Sequence, residues 1–278
     1  MSDPIYDPYR PGAGRVPPLL AGREDLLNSF DSTVHQTTGT GEGPRPLILF
    51  GLRGVGKTAL LNEFVLRARD ARWLTVKIEA TPDRSLGKAI TQALYRPLRD
   101  LRTLGDRGQE FLQRAVSVFT SFQIRFDPQG NATFGFDVEP ERGVADTGEL
   151  ATDLVDLLAA IGTAARENDV GLLIAIDELQ DAPLEDLRAL NLALHELGQD
   201  PFPVPVVFIG AGLPSLPAVL ADATSYAERL YDYRSIGLLD EQAAREAFSV
   251  PARAQGVDWQ PDALAAVVDH AAGYPSRP

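Results

Sequence analysis

The chain has 278 residues, of which 44% are hydrophobic and 23% charged, with a net charge of −13 and no cysteine. These values exclude a wholly disordered chain, thiol chemistry, disulfides, iron–sulfur clusters and cysteine-bound zinc. The acidic excess argues against general binding of DNA or anionic membranes, and no apolar run reaches the roughly 20 residues of a membrane helix.

Residues 1–19 hold five prolines and two glycines and read as an extended N-terminal arm. Its start is polar and lacks the apolar centre of a secretion signal, so a cytoplasmic protein is expected. Helical spacing begins near Gly22, with Leu26, Leu27 and Phe30 on one face, and a loop follows at 37–46. Leu47 to Phe50 is a short continuous apolar run, as a strand buried on both faces requires. A helix follows Lys57, with Leu60, Leu61, Phe64 and Val65 on one side, and Trp73 to Ile78 predicts a second strand. Helices are expected over about 85–101 and 109–119.

Between 121 and 138 the pattern changes. Phe122, Ile124 and Phe126 alternate with Gln123 and Arg125, Asp127 to Asn131 reads as a turn, and Phe134, Phe136 and Val138 alternate again. This spacing predicts a β-hairpin insertion, either a flap over the core or an edge offered to a partner. Asp146 and Glu149 fit a capping pair before a helix whose apolar stripe is Leu150, Leu154, Leu157, Leu158 and Ile161. Val170 to Ile176 predicts a third strand, 183–198 a helix, Pro205 to Ile209 a fourth strand and Tyr233 to Ile236 a short fifth. From Asp240 the pattern is helical only. Asp240 fits the cap of a helix through Phe248, Pro261 the start of another, and Gly273 its end. The reading is an arm over 1–19, an α/β core over 20–239 and a small helical unit over 240–278.

Gly51-Leu52-Arg53-Gly54-Val55-Gly56-Lys57-Thr58 fits G-x-x-x-x-G-K-[ST] without exception, between a predicted strand and a predicted helix. Glycines let the backbone fold into a concave nest whose N–H groups face phosphate oxygens. The helix that follows adds its positive N-terminal end. Lys57 is expected on the β- and γ-phosphates and the Thr58 hydroxyl on Mg²⁺. The expected nucleotide-binding segment runs from Gly51 through Thr58 to Ala59. Of the variable positions, Arg53 has the length to reach a phosphate or a neighbouring subunit.

Asp177-Glu178 ends the third predicted strand, where ligands bind in open α/β sheets. Asp177 suits Mg²⁺, and Glu178 suits the activation of an attacking water. Gln180 offers a further polar contact. His35, His195 and His270 are scattered and read as structural.

With these residues in hand, the chain resembles an AAA+ ATPase of the branch that includes origin-recognition-like and STAND-like proteins. Four elements carry the resemblance. Leu19-Leu20-Ala21-Gly22-Arg23-Glu24 resembles the box that precedes the nucleotide site. Gly51 to Thr58 is the phosphate loop, Asp177-Glu178 resembles the Walker B pair, and Gly273-Tyr274-Pro275 resembles the Gly-x-Pro turn of a helical lid. The arm segment Arg10 to Gly14 is a softer match to bacterial ATP-binding proteins.

The resemblance implies a three-layer αβα P-loop fold, a parallel sheet in the order 5-1-4-3-2, and a lid. It implies that Gly22 and Arg23 lie beside the adenine, with Pro275 contacting the nucleotide from the lid. It also implies that Arg229 senses the γ-phosphate, often across a subunit boundary. A surface ion pair of Arg229 with Glu228 or Asp232 is the plainer alternative. The sequence departs from the pattern at the end of the fourth strand. There Gly210-Ala211-Gly212 replaces a polar sensor residue. Relatives continue into a winged-helix or effector domain where this chain ends, so a truncated lid is expected.

The expected activity is Mg²⁺-dependent hydrolysis of ATP, preferred over GTP because no N-K-x-D motif appears. The alternative is a slow or non-hydrolysing ATP-gated switch for a protein partner or a homo-oligomer. A DNA-linked initiator-like ATPase is weaker, with DNA reached only through a further C-terminal domain.

Overall fold

The apolar runs become five parallel strands. They are β1 (Leu47–Phe50), β2 (Leu74–Glu79), β3 (Leu172–Asp177), β4 (Val206–Gly212) and β5 (Asp232–Ser235). In this computed structural model, residues 8–9, 15–101, 109–126 and 139–275 are described. The strands lie in the order β2-β3-β4-β1-β5, the order that the resemblance implied. In-register pairs include Leu47 with Ile209 on one side and with Asp232 on the other.

Alternation across the sheet explains why the central strands β1, β3 and β4 are almost wholly apolar, whereas the edge strands β2 and β5 carry polar residues. Leu172, Ile174 and Ile176 of β3 face one core, while Leu173 and Ala175 face the other. The second core lies under α1 (Glu24–Thr40) and α2 (Lys57–Asp70), where Phe30 stacks on Phe64 with ring centroids 4.5 Å apart. The first core is covered by α3 (Leu86–Leu101), α4 (Gln109–Phe126), α5 (Leu150–Glu167), α6 (Leu184–Leu197) and α7 (Leu216–Ala223). A short α8 (Ala227–Leu230) leads into β5. The helical pair α9 (Glu241–Ala254) and α10 (Pro261–Ala271) completes the described chain. Among the described residues, no helix is long and apolar enough to cross a membrane.

One buried polar network locks α6, α7 and the entry to β5. Asn191 is fully buried and donates to Leu220 O and Thr224 Oγ1, and its Oδ1 accepts from the buried Tyr231 hydroxyl at 2.7 Å. Burial pushes the Tyr231 phenol well above its ordinary value.

Four expectations change. The loop expected at 37–46 starts only after α1 ends at Thr40, with Gly41 in a left-handed conformation closing the helix. The first arm of the predicted hairpin is helical, because Ala115, Phe119 and Phe122 continue the buried stripe of α4 at helical spacing, while Ile124 faces outward. The remainder of the predicted hairpin, 127–138, lies outside the described residues. The expected capping pair before α5 does not form. Asp146 accepts from Gly143 N, and Glu149 makes no side-chain cap bond. Asp153, fully buried, takes the turn instead, accepting from Thr147 N, Thr147 Oγ1 and Gly148 N. Finally, α9 runs through Pro251 to Ala254 rather than stopping at Phe248. Its predicted cap does form, with Asp240 Oδ1 accepting from Ala243 N at 2.8 Å.

Candidate functional site

The loop between β1 and α2 is shaped by what surrounds it. Gly51 N–H donates to Gly212 O, and a Cβ on Gly51 would stand 2.1 Å from Ile236 O, so only glycine fits between the ends of β4 and β5. Gly56 has φ +96° and immediately precedes α2, a backbone conformation that side chains resist. The loop therefore closes tightly on the N-terminus of α2.

Lys57 is buried, and its ammonium donates to the carbonyls of Gly51 at 2.9 Å and Leu52 at 2.8 Å. Burial pushes its pKa down, against the opposing pull of Glu178 and Asp177. Leu52, Arg53 and Gly54 are exposed at the tip, while Val55 is buried in the core. Thr58 and Ala59 open the first turn of α2.

The two sequence-distant halves of the site meet at one hydrogen bond. Thr58 Oγ1 donates to Asp177 Oδ2 at 2.6 Å across 119 residues of chain. Asp177 is buried at the C-terminal end of β3, and its Oδ1 accepts from Glu178 N at 3.0 Å. Glu178 itself has φ +47° and ψ +39°, a left-handed conformation unusual for a residue with a Cβ. Gln180 donates from Nε2 to Glu178 Oε2 at 2.8 Å and accepts at Oε1 from Leu213 N at 3.0 Å. The sequence marked Gln180 only as a weak contact. Its second partner is a backbone N–H, which carries no residue-type signal.

The other predicted residues divide. Arg23 donates from one guanidinium nitrogen to Gly237 O at 2.5 Å and Val55 O at 3.4 Å. It thereby ties the N-terminal box to the phosphate loop and to the segment after β5. Burial lowers the Arg23 pKa, opposed by Glu24 and Asp240. Gly22 packs against α9, where an added Cβ would stand 2.9 Å from Ala243 Cβ. Pro275 lies beside the loop, 3.9 Å from the position a Cβ would take on Gly56.

Arg229 is not brought to the phosphate loop within the chain. It sits on α8, just before Asp232, which pairs with Leu47, so about 13 Å of strand separates that end of the sheet from the loop. Its side chain is exposed, and Arg45 holds its helix by donating to Glu228 O and Leu230 O. Asp232, offered as an ion-pair partner for Arg229, instead pairs with Arg234 at 3.0 Å.

A parallel sheet in this order, with a phosphate loop after β1 and an acidic pair after β3, defines a P-loop nucleotide-binding protein. The chain belongs to the AAA ATPase domain family, whose model matches residues 19–209. No curated protein sequence matches it. Among solved structures, the chain is similar to the ORC2 protein of Aeropyrum pernix, determined as ADPNP-ADP complexes. The identity is 15%, the TM-score 0.58, and the match covers 93% of this chain and 59% of that one. It is also similar to CDC6P of Pyrobaculum aerophilum, at 14% identity and TM-score 0.51, over 93% of this chain and 57% of that one. At these identities the likeness is one of fold, and the chain spans less than two thirds of the length of either structure.

Proposed function

We propose that the chain binds MgATP between the phosphate loop and the α9–α10 pair and hydrolyses the γ-phosphoryl bond, moving that pair as a lid against the core. The observation that carries this reading is the 2.6 Å contact between Thr58 Oγ1 and Asp177 Oδ2. It joins two hard oxygen donors at the mouth of a phosphate nest, and that donor chemistry fits Mg²⁺. When bound there, Mg²⁺ would neutralise charge on the phosphate oxygens.

The chain's own residues supply the remainder. Backbone N–H groups from Gly54 to Ala59 face the phosphates, and Lys57 exchanges its two carbonyl contacts for phosphate oxygens. Glu178 accepts a proton from water as its oxygen bonds to the γ-phosphorus. The bond from that phosphorus to the bridging oxygen breaks, and ADP leaves with the electron pair. Gly22, Arg23 and Pro275 frame the base side of the nucleotide. The position of Arg229 favours action on a neighbouring copy, and therefore a homo-oligomer.

A second reading is an ATP-gated interaction switch with little turnover. It is favoured by the end of β4, where Gly210, Ala211 and Gly212 offer no side-chain hydrogen bond. Thermal unfolding with MgATP, MgGTP and MgADP, paired with phosphate release, separates the two. Stabilisation with release of phosphate supports hydrolysis, stabilisation without release supports the switch, and no stabilisation by any nucleotide sinks both.

A further inference from the structure

We propose that Gln180 is a positioning residue for Glu178, supplying from the β3 side the polar contact that β4 lacks. The proposal rests on the reading of Glu178 as the group that takes the proton from water. The orientation of the Gln180 amide is fixed by chemistry. A backbone N–H only donates, so Oε1 must face Leu213 N at 3.0 Å. An ionised carboxylate only accepts, so Nε2 must face Glu178 Oε2 at 2.8 Å. One side chain thus joins the carboxylate after β3 to the first backbone N–H beyond β4.

The glycine at the end of β4 is the complement of this bridge. A Cβ on Gly212 would stand 2.2 Å from Gln180 Oε1 and 2.9 Å from Leu216 Cδ2. Gln180 therefore occupies the space that a side chain on β4 would fill. Glu178 turns out of β3 with left-handed backbone dihedrals, and a short 3₁₀ turn, Leu179–Asp181, follows it directly. A carboxylate on so short a turn has few other restraints, and a charge-assisted hydrogen bond to one of its oxygens limits its rotamers. The bridge also connects Glu178 to the segment entering α7, so a shift of that segment changes the hold on the carboxylate.

The test uses Gln180→Glu, Gln180→Ala, Glu178→Gln and the Glu178→Gln/Gln180→Ala double variant. Three quantities are read: MgATP affinity, single-turnover phosphate release at saturating MgATP, and amide hydrogen exchange at Leu213. Gln180→Glu keeps the size and the acceptor for Leu213 N but loses the donor to Glu178. Gln180→Ala loses both.

The expected result is affinity within about twofold of wild type for both Gln180 variants, with turnover lower by on the order of tenfold or more. Leu213 stays protected in Gln180→Glu and loses protection in Gln180→Ala. In the Glu178→Gln background, removing Gln180 costs nothing further, because the two residues act as one unit. A purely structural Gln180 leaves Gln180→Glu at wild-type turnover, or adds its loss independently to that of Glu178→Gln. Either result overturns the proposal while leaving Glu178 in its role. Wild-type turnover in Glu178→Gln, or no phosphate release by the wild type, overturns the role of Glu178 and this proposal together.

Discussion

At the scale of single residues, the proposed mechanism divides the site between binding and chemistry. Lys57 is buried against two carbonyls, with Glu178 and Asp177 attracting its charge. Lys57→Ala is expected to abolish the thermal stabilisation by MgATP, which for a wild-type site at a hundredfold ligand excess over Kd amounts to about 2.7 kcal/mol. Glu178→Gln is expected to keep that stabilisation and lose phosphate release, since the amide cannot take a proton. A scan that finds the reverse pattern exchanges the two roles. Away from the site, Tyr231→Phe leaves the buried Asn191 Oδ1 without its donor. Urea unfolding should show a loss of about 1–3 kcal/mol, with MgATP affinity unchanged.

At the scale of elements, Asp153 holds the turn before α5 by accepting three hydrogen bonds while fully buried. Asp153→Ala should lower unfolding stability by about 2 kcal/mol, and Asp146→Ala by much less, measured in the same denaturant series. The sequence pointed to Asp146 and Glu149 because a capping pair is a local spacing, whereas Asp153 competes for the same N–H groups from inside the helix. The central strands were legible because a strand covered on both faces is apolar almost throughout, and β3 and β4 are buried at every position, whereas the edge strand β2 shows only an alternating pattern. The first arm of the predicted hairpin was misread for the converse reason. Phe122, Ile124 and Phe126 have a two-residue period, but Phe122 closes a helical stripe begun at Leu112 and Ala115. The phosphate loop was legible because its eight residues are contiguous. The bridge through Gln180 was not, because it ends on Leu213 N, 33 residues away. In sequence Gly212 showed only a missing side chain, whereas in the fold it is the room that Gln180 needs.

At the scale of the whole molecule, the N-terminal box at Gly22 and Arg23 and the segment from Gly237 to Pro275 converge near the phosphate loop. Arg23 reaches Gly237, Gly22 packs on α9, Leu239 N donates to Gly273 O, and Pro275 comes beside Gly56. Arg229 stands at the opposite end of the sheet, so the proposed role at a phosphate would fall on a neighbouring copy. If it does, Arg229→Ala and Lys57→Ala proteins are each inactive, yet mixing them in equal amounts rebuilds about a quarter of the sites. Phosphate release should return in the mixture. Release that stays absent from the mixture, while each protein still assembles, rules out action of Arg229 across a subunit boundary and leaves only action within its own chain.

The arm provides one last consequence. Tyr9 donates to Phe248 O and accepts from Trp259 Nε1 at 2.8 Å, which holds this residue against α9 and the segment before α10. The chain has two tryptophans, and they occupy unlike surroundings. Trp73 is sealed in the core beneath α1, while Trp259, between α9 and α10, is half-buried against Tyr9. Two indoles in such unlike surroundings are expected to report separately: the buried one with blue-shifted emission, and Trp259 with a shift to the red if the Tyr9 contact breaks. A Trp73→Phe protein would report that release by fluorescence alone, without any attached label.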